Sequence, residues 1–161
     1  AYQVGVNVSQ SCEALSDFIG VKRRMEVIHE SQGVTIYDDF AHHPTAIKST
    51  LEGLRAKVGE DFILAIIEPR SATMKMGVHQ KTLASSVKSA DQVLWYQNAA
   101  IDWDMTSLSD SVEIPSMSIN KLDDLIEEAV NLTQSNVHIV IMSNGGFEGF
   151  HNKLSDAIKS I

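Results

Sequence analysis

A chain of 161 residues, 43% apolar and 21% charged, has room for one well-packed domain and not for two generous ones. Its formal charge of −8 excludes a nucleic-acid backbone as partner, since phosphate neutralisation needs clustered Lys and Arg, and the one dense basic cluster, Lys22-Arg23-Arg24, is too short for that. Cys12 is the sole cysteine, which rules out an internal disulfide or a cysteine-built zinc site and suits a reducing cytoplasm; no apolar run nears the roughly 20 residues that span a bilayer, so no membrane partner is expected.

Residues 1–20 read as a lead-in from a neighbouring domain, with a short helix around Cys12-Phe18 ending at Gly20 and Cys12 used for packing. Two β-rich runs follow, Met25–Ile28 and Val34–Tyr37, joined by a turn over 29–33 in which Gly33 supplies the permissive backbone. This predicts an antiparallel hairpin at the start of the sheet. Behind Pro44, the spacing of Ile47, Leu51 and Leu54 predicts a helix over about 44–57. Phe62–Ile67 is almost continuously apolar, the pattern of a central parallel strand covered on both faces. A helix over 78–89 (Val78, Leu83, Val87) and a strand at Val93–Tyr96 come next.

The segment 97–119 is irregular and predicts loops plus one short edge strand near Met117. Asn120 is placed to cap a helix running to about Ser135, with Leu122, Leu125, Ile126, Ala129 and Val130 on its inner face. The strand Val137–Met142, the loop Ser143–Phe147 and a closing helix from about Phe150 complete the chain. This alternation predicts a three-layer α/β domain with a mostly parallel sheet.

Chemistry gathers at predicted strand ends. Tyr37-Asp38-Asp39-Phe40-Ala41-His42-His43-Pro44-Thr45 sets two acids and two imidazoles at a strand-to-helix junction, where open α/β sheets bind ligands. A metal site is disfavoured, because Ala41 stands where an Asp-His-His phosphoesterase motif needs its acid and no second His/Asp cluster follows. Capping of the helix start by Asp39 and His43 is one alternative; facing an anion is the other and the favoured one. Arg70, in Glu68-Pro69-Arg70-Ser71, suits carboxylate or phosphate bidentately, or pairs with Glu68 at the surface. Ser143-Asn144-Gly145-Gly146 either lets backbone approach a ligand or forms a plain tight turn. His138, alternating with apolar residues, reads as a satisfied core or flank histidine rather than a ligand. The chain has no G-x-x-x-x-G-K-S/T loop and no G-x-G-x-x-G after its first strand.

Taken together, Phe18-Ile19-Gly20-Val21-Lys22-Arg23-Arg24-Met25-Glu26, the Asp38-Asp39-Phe40-Ala41-His42-His43-Pro44 stretch, Glu68-Pro69-Arg70-Ser71 with Thr73-Met74-Lys75-Met76-Gly77, and Met142-Ser143-Asn144-Gly145-Gly146-Phe147 resemble the carboxy-terminal domain of the ATP-dependent Mur ligases over essentially the whole chain. Ala72 departs from the pattern, standing where Asn is expected. The resemblance implies a Rossmann-like domain over 21–161, preceded by the missing amino-terminal and central P-loop ATPase domains as partners. Within the family it is nearest the branch that joins UDP-N-acetylmuramate to L-alanyl-γ-D-glutamyl-meso-diaminopimelate in peptidoglycan recycling. That branch uses ATP and Mg²⁺, held mainly by the missing central domain, and works through an acyl phosphate. The resemblance further implies that Arg24, Asp39, Phe40, His42 and His43 face ATP, with Asp39 and His42 nearest the chemistry, and that Arg70, Ser143 and Asn144 hold the peptide. No metal ligand is assigned to this domain. The alternatives are the domain of the UDP-N-acetylmuramate–alanine ligase, a free-standing hydrolase using Asp39 and His42, and a non-catalytic α/β interaction module.

Overall fold

A computed structural model describes residues 2–18, 20–70, 80–101, 103–133 and 136–160. Six strands, β1 (Glu26–Ser31), β2 (Val34–Asp39), β3 (Phe62–Ile67), β4 (Gln92–Tyr96), β5 (Ser116–Ile119) and β6 (Val137–Met142), form one sheet in the order β1-β2-β6-β3-β4-β5. Only β1 is antiparallel, and β2, β6, β3, β4 and β5 run parallel. The expected mostly parallel sheet with a starting hairpin is therefore present.

Helices α1 (Val8–Ser16), α2 (Pro44–Val58), α3 (Gln80–Ser86), α4 (Thr106–Ser111), α5 (Leu122–Asn131) and α6 (Phe150–Lys159) accompany it. Ile47, Leu51 and Leu54 of α2, Leu83 of α3 and Leu108 of α4 pack with Ile63, Ala65 and Trp95 on one face. Leu125 and Ala129 of α5 and Phe150, Leu154 and Ile158 of α6 pack with Ile36, Leu64 and Ile139 on the other. Both faces being covered explains why β3 and β6 are buried along nearly their whole length.

The layering places the site. Steps from β2 to β3, β4 and β5 move one way across the sheet and put α2, α3 and α4 on the first face; the return from β5 to β6 puts α5 on the second, as right-handed crossovers require. Because β6 lies between β2 and β3, its outgoing chain leaves toward the second face while theirs leave toward the first. A crevice therefore opens at the carboxyl ends of β2, β6 and β3.

Several local expectations are corrected. The first turn is only Gln32-Gly33, both at positive φ (53° and 80°), the geometry of a two-residue hairpin that matches strand twist; His29, Glu30 and Ser31 belong to β1, an edge strand in which His29 is buried and Glu30 and Ser31 are exposed. The helix expected at 78–89 is Gln80–Ser86, residues 78 and 79 lying outside the described ones. A six-residue helix, α4, occupies part of the segment expected as loop. Asn120 does not cap α5: the chain is still extended at Lys121 (φ −113°, ψ 134°), which is the N-cap residue and makes no side-chain cap bond, and the helix ends at Asn131. The lead-in helix is displaced to Val8–Ser16 and capped by an Asn7–Gln10 capping box; it buries no residue, and Cys12 is exposed rather than packed. His138 is satisfied as expected, its Nδ1 3.3 Å from the Tyr37 hydroxyl and its Nε2 3.5 Å from Asp61.

Candidate functional site

At the end of β6, Ser143 is fully buried; its hydroxyl donates to Glu68 Oε2 at 2.5 Å and accepts from the Gly145 amide at 3.0 Å. Glu68, just past β3, is itself 2% exposed and takes a second hydrogen bond from the Asn98 side-chain amide at 3.3 Å. With its oxygens so occupied, Glu68 is no partner for Arg70. Arg70 is exposed and forms no ion pair among the described residues. It lies instead across Gly145, where a methyl group would sit 2.6 Å from Arg70 Cζ and 2.8 Å from Cδ. The absence of a side chain at Gly145 allows that approach, while Gly146 has open space around it. Asn144 Oδ1 is buried without a hydrogen-bond partner, a state that costs free energy unless a donor arrives.

The other flank is the end of β2. Asp39 is 3% exposed, and its oxygens accept from the amides of Met25 (2.9 Å) and Ala41 (2.8 Å) and from the Thr50 hydroxyl (3.4 Å). In this conformation it pins the Arg24-Met25 segment and the Phe40-Ala41 turn rather than facing solvent. His42 Nδ1 lies 2.9 Å from the Phe40 carbonyl; a carbonyl only accepts, so Nδ1 carries the proton. Nε2 is left to accept from an amine, or to donate to an anion when the ring is charged. The His42 ring meets Phe40 edge-on at 5.3 Å, and the exposed Arg24 guanidinium sits 5.6 Å from the Phe40 ring centre. His43 is the residue before Pro44 and makes no side-chain cap bond, so the capping reading of His43 is set aside; Asp39 serves the turn before the helix instead.

Between the flanks lies a cluster that sequence reasoning missed. Arg23 Nε is 3.2 Å from Asp38 Oδ2, and Arg23 Nη2 donates to the carbonyls of Ser143 (2.6 Å) and Gly145 (3.0 Å). His151 Nε2, from α6, is 3.1 Å from Asp38 Oδ1. Burial pushes the Asp38 carboxyl up, but the hydrogen bond and charge of His151, then those of Arg23, outweigh it, and the net pKa lies below the ordinary carboxylate value. The available signal was the hairpin itself: it pairs Glu26 with Asp38, which brings the residues just before Glu26 to the end of β2. On the second face, Tyr96 donates to Glu148 at 2.9 Å; burial, then that carboxylate's hydrogen bond and charge, and then Glu68, push the phenol up to about 12.

These residues form an open face rather than a closed cavity. A surface groove at Gln97, Met117, Asn120, Asp124, Glu127 and Glu128 lies at the opposite edge of the sheet and contains none of them, whereas a second groove, at Gly20, Lys22, Arg24, Met25 and Glu26, takes in Arg24. Among the described residues no group of three or more His, Cys, Asp or Glu could hold a metal ion, and no helix is long and apolar enough to cross a membrane.

The family model for the Mur ligase glutamate ligase domain matches residues 23–145. The chain belongs to the Mur ligase family. It is 43% identical over 160 residues to the UDP-N-acetylmuramate–L-alanyl-γ-D-glutamyl-meso-2,6-diaminoheptandioate ligase of Haemophilus influenzae, and 45% identical over 159 residues to that of Escherichia coli, covering 99% and 98% of itself. In each case it spans 35% of the relative's length. A crystal structure of a murein peptide ligase from Psychrobacter arcticus superposes with a TM-score of 0.80 at 43% identity, covering 99% of this chain and 35% of that one. A domain described as part of such a ligase from Haemophilus ducreyi has been crystallised as a domain; the match covers 84% of this chain and 99% of that one, at 42% identity. The UDP-N-acetylmuramate-alanine ligase of Thermotoga maritima shares the fold, with a TM-score of 0.80 at 20% identity.

As a Mur ligase carboxy-terminal domain, the chain displays its expected site residues in two groups. Arg24, Asp39, Phe40 and His42 cluster at the end of β2, with His43 beside them at the start of α2. Arg70, Ser143 and Asn144 cluster at the ends of β3 and β6, and the Ser143 amide donates to the Asp39 carbonyl at 3.2 Å.

Proposed function

We propose that this domain is the closing lid and peptide-binding part of a cytoplasmic, ATP-dependent ligase that joins UDP-N-acetylmuramate to L-alanyl-γ-D-glutamyl-meso-diaminopimelate in peptidoglycan recycling. The observation that carries this reading is the 43–45% identity, across 98–99% of the chain, to relatives bearing that activity in their names. In the proposed reaction a carboxylate oxygen of the muramate lactyl group takes the γ-phosphoryl group of ATP, releasing ADP. The tripeptide's free α-amine then attacks the acyl carbon, an amide bond forms, phosphate leaves and the amine gives up a proton.

The two groups of residues divide that work. Attack on an acyl phosphate passes through an anionic tetrahedral state, so cationic and hydrogen-bonding groups brought to it in a water-poor site lower the barrier. Arg24 and His42, ordered around Phe40, suit phosphate oxygens; Asp39 holds their backbone. Arg70 suits a peptide carboxylate bidentately, and Asn144 Oδ1 awaits a donor. Mg²⁺ and most of the ATP contacts are assigned to the central domain, as the family resemblance implies.

The lead-in supports a docked neighbour. Tyr2, Val4, Val8, Leu15 and Phe18 are 60–83% exposed, an apolar surface that suits burial against the central domain. Domain closure then completes a site that neither part holds alone. A second reading, the UDP-N-acetylmuramate–alanine ligase, has shorter matches behind it, such as 39% identity over 92 residues, 57% of this chain, to the enzyme of Desulfitobacterium hafniense. The test is phosphate release from ATP by the full-length protein. Release should require both UDP-N-acetylmuramate and the tripeptide, and the 161-residue domain alone should show none; turnover by the domain alone overturns the lid assignment.

A further inference from the structure

We propose that Arg23 is a positioning residue for the amine-bearing substrate: by bridging Asp38 to the carbonyls of Ser143 and Gly145, it sets the loop that carries Asn144 and seats Arg70. This rests on the reading of Arg70 and Asn144 as peptide contacts. Its Nε reaches Asp38 at 3.2 Å, and its Nη2 holds the two carbonyls at 2.6 and 3.0 Å. The residue between those carbonyls is Asn144, whose Oδ1 is buried and unpartnered, and the second of them belongs to Gly145, on which Arg70 lies. One planar guanidinium thus ties the end of β2 to the loop that carries Asn144 and against which Arg70 lies. A lysine ammonium, a point charge on a flexible stem, does not reproduce that span.

The backbone at Arg23 is bent to serve this contact. Its φ is +58°, a left-handed value that a non-glycine residue holds only when its surroundings enforce it. Here the Arg23 amide donates to Glu26 Oε2 at 2.8 Å, and its carbonyl accepts from the Phe40 amide at 2.9 Å. Asp38 in turn is steadied from behind by His151 of α6. The side chain also passes 5.2 Å from the centre of the Phe40 ring, so a role on the nucleotide side is the competing outcome.

The experiment uses the full-length enzyme as wild type, R23K, R23M, D38N and the R23M/D38N pair, with apparent KM measured for ATP, UDP-N-acetylmuramate and the tripeptide. The expected result is a tripeptide KM raised about tenfold or more in R23M and R23K while the other two stay within about threefold. D38N should shift in the same direction, and the double variant should be no worse than R23M, because the two residues act through one contact. Loss of folded protein lowers kcat for every substrate together and leaves this ratio unmoved, and should R23M fail to fold, R23K and D38N carry the test. A KM for ATP that rises as much as that for the tripeptide, an unchanged tripeptide KM, or multiplied effects in the double variant overturns the proposal. If the wild type takes L-alanine and refuses the tripeptide, the proposed substrate falls; the same comparison made with L-alanine then still decides the role of Arg23.

Discussion

Replacing Asp39 with Ala removes the acceptor for two main-chain N–H groups, those of Met25 and Ala41, at a site only 3% exposed. A hydrogen bond to a charged group contributes about 1.5–3 kcal/mol, and a buried donor left unpaired costs about 1–3 kcal/mol. Against this stands the relief of no longer burying a carboxylate, which offsets several kcal/mol of the gross loss. The net expectation is a destabilisation of about 2–4 kcal/mol, with D39N near half of that because one acceptor oxygen survives. At about 2–4 °C per kcal/mol for a domain of this size, D39A should melt roughly 5–15 °C below wild type. Thermal and urea unfolding of the domain give the stability, and hydrogen exchange gives the local signature: the Met25 and Ala41 amides should lose protection first. If D39A melts within about 1 °C of wild type while ligation by the full-length enzyme is abolished, Asp39 is not a pin, and its role is chemical.

Three further outcomes follow from the same geometry. The folded pKa of Asp38 is depressed, so its contribution to stability is present above the unfolded carboxyl value near about 3.9 and is lost as pH falls through the folded one; unfolding free energy measured against pH should show that acid limb in wild type and a weaker one in D38N. Gly145→Ala places a methyl 2.6 Å from Arg70 Cζ, and since Arg70 is a flexible exposed side chain the domain should lose under about 1 kcal/mol in urea unfolding, whereas the tripeptide KM of the full-length enzyme should rise. Arg70→Ala should raise the tripeptide KM by about tenfold or more with the ATP KM nearly unchanged, and equal changes in both contradict its placement on the peptide side.

The parts of the fold legible in the sequence are those whose signal is local and doubled. Phe62–Ile67 and Val137–Met142 read as strands because burial on both faces leaves no polar interruption, and α2 reads as a helix because Pro44 marks its start and three apolar residues mark its stripe. Helix α4 was not legible: Thr-Ser-Leu-Ser-Asp-Ser buries only Leu108 and Ser109, too little for a periodic pattern. The hairpin turn is shorter than the polar run 29–33 suggests, because β1 is an edge strand whose last two residues, Glu30 and Ser31, are exposed and look like loop. Cys12 is exposed rather than packed because α1 buries none of its residues.

In the site, residue types were legible and their working partners were not. Asp39 looked available until the Met25 amide, 14 positions earlier, was found folded onto it. A surface pair between Arg70 and Glu68 is as open in the sequence as an anion clamp at Arg70, because the two residues are near neighbours in the chain, yet Glu68 faces Ser143 across 75 positions. Arg23 sat unnoticed within a basic triplet, since only the hairpin and the return of β6 bring Asp38 and Ser143 to it. Such assignments depend on long-range pairing, which no local pattern encodes.

Whether this lid serves a peptide-adding ligase is decided by competition on the full-length enzyme. With ATP, Mg²⁺ and UDP-N-acetylmuramate present, equal concentrations of L-alanine and L-alanyl-γ-D-glutamyl-meso-diaminopimelate are offered and the products are separated by mass. UDP-N-acetylmuramoyl-tripeptide should dominate; a product that is mainly UDP-N-acetylmuramoyl-L-alanine would show an alanine-adding ligase instead.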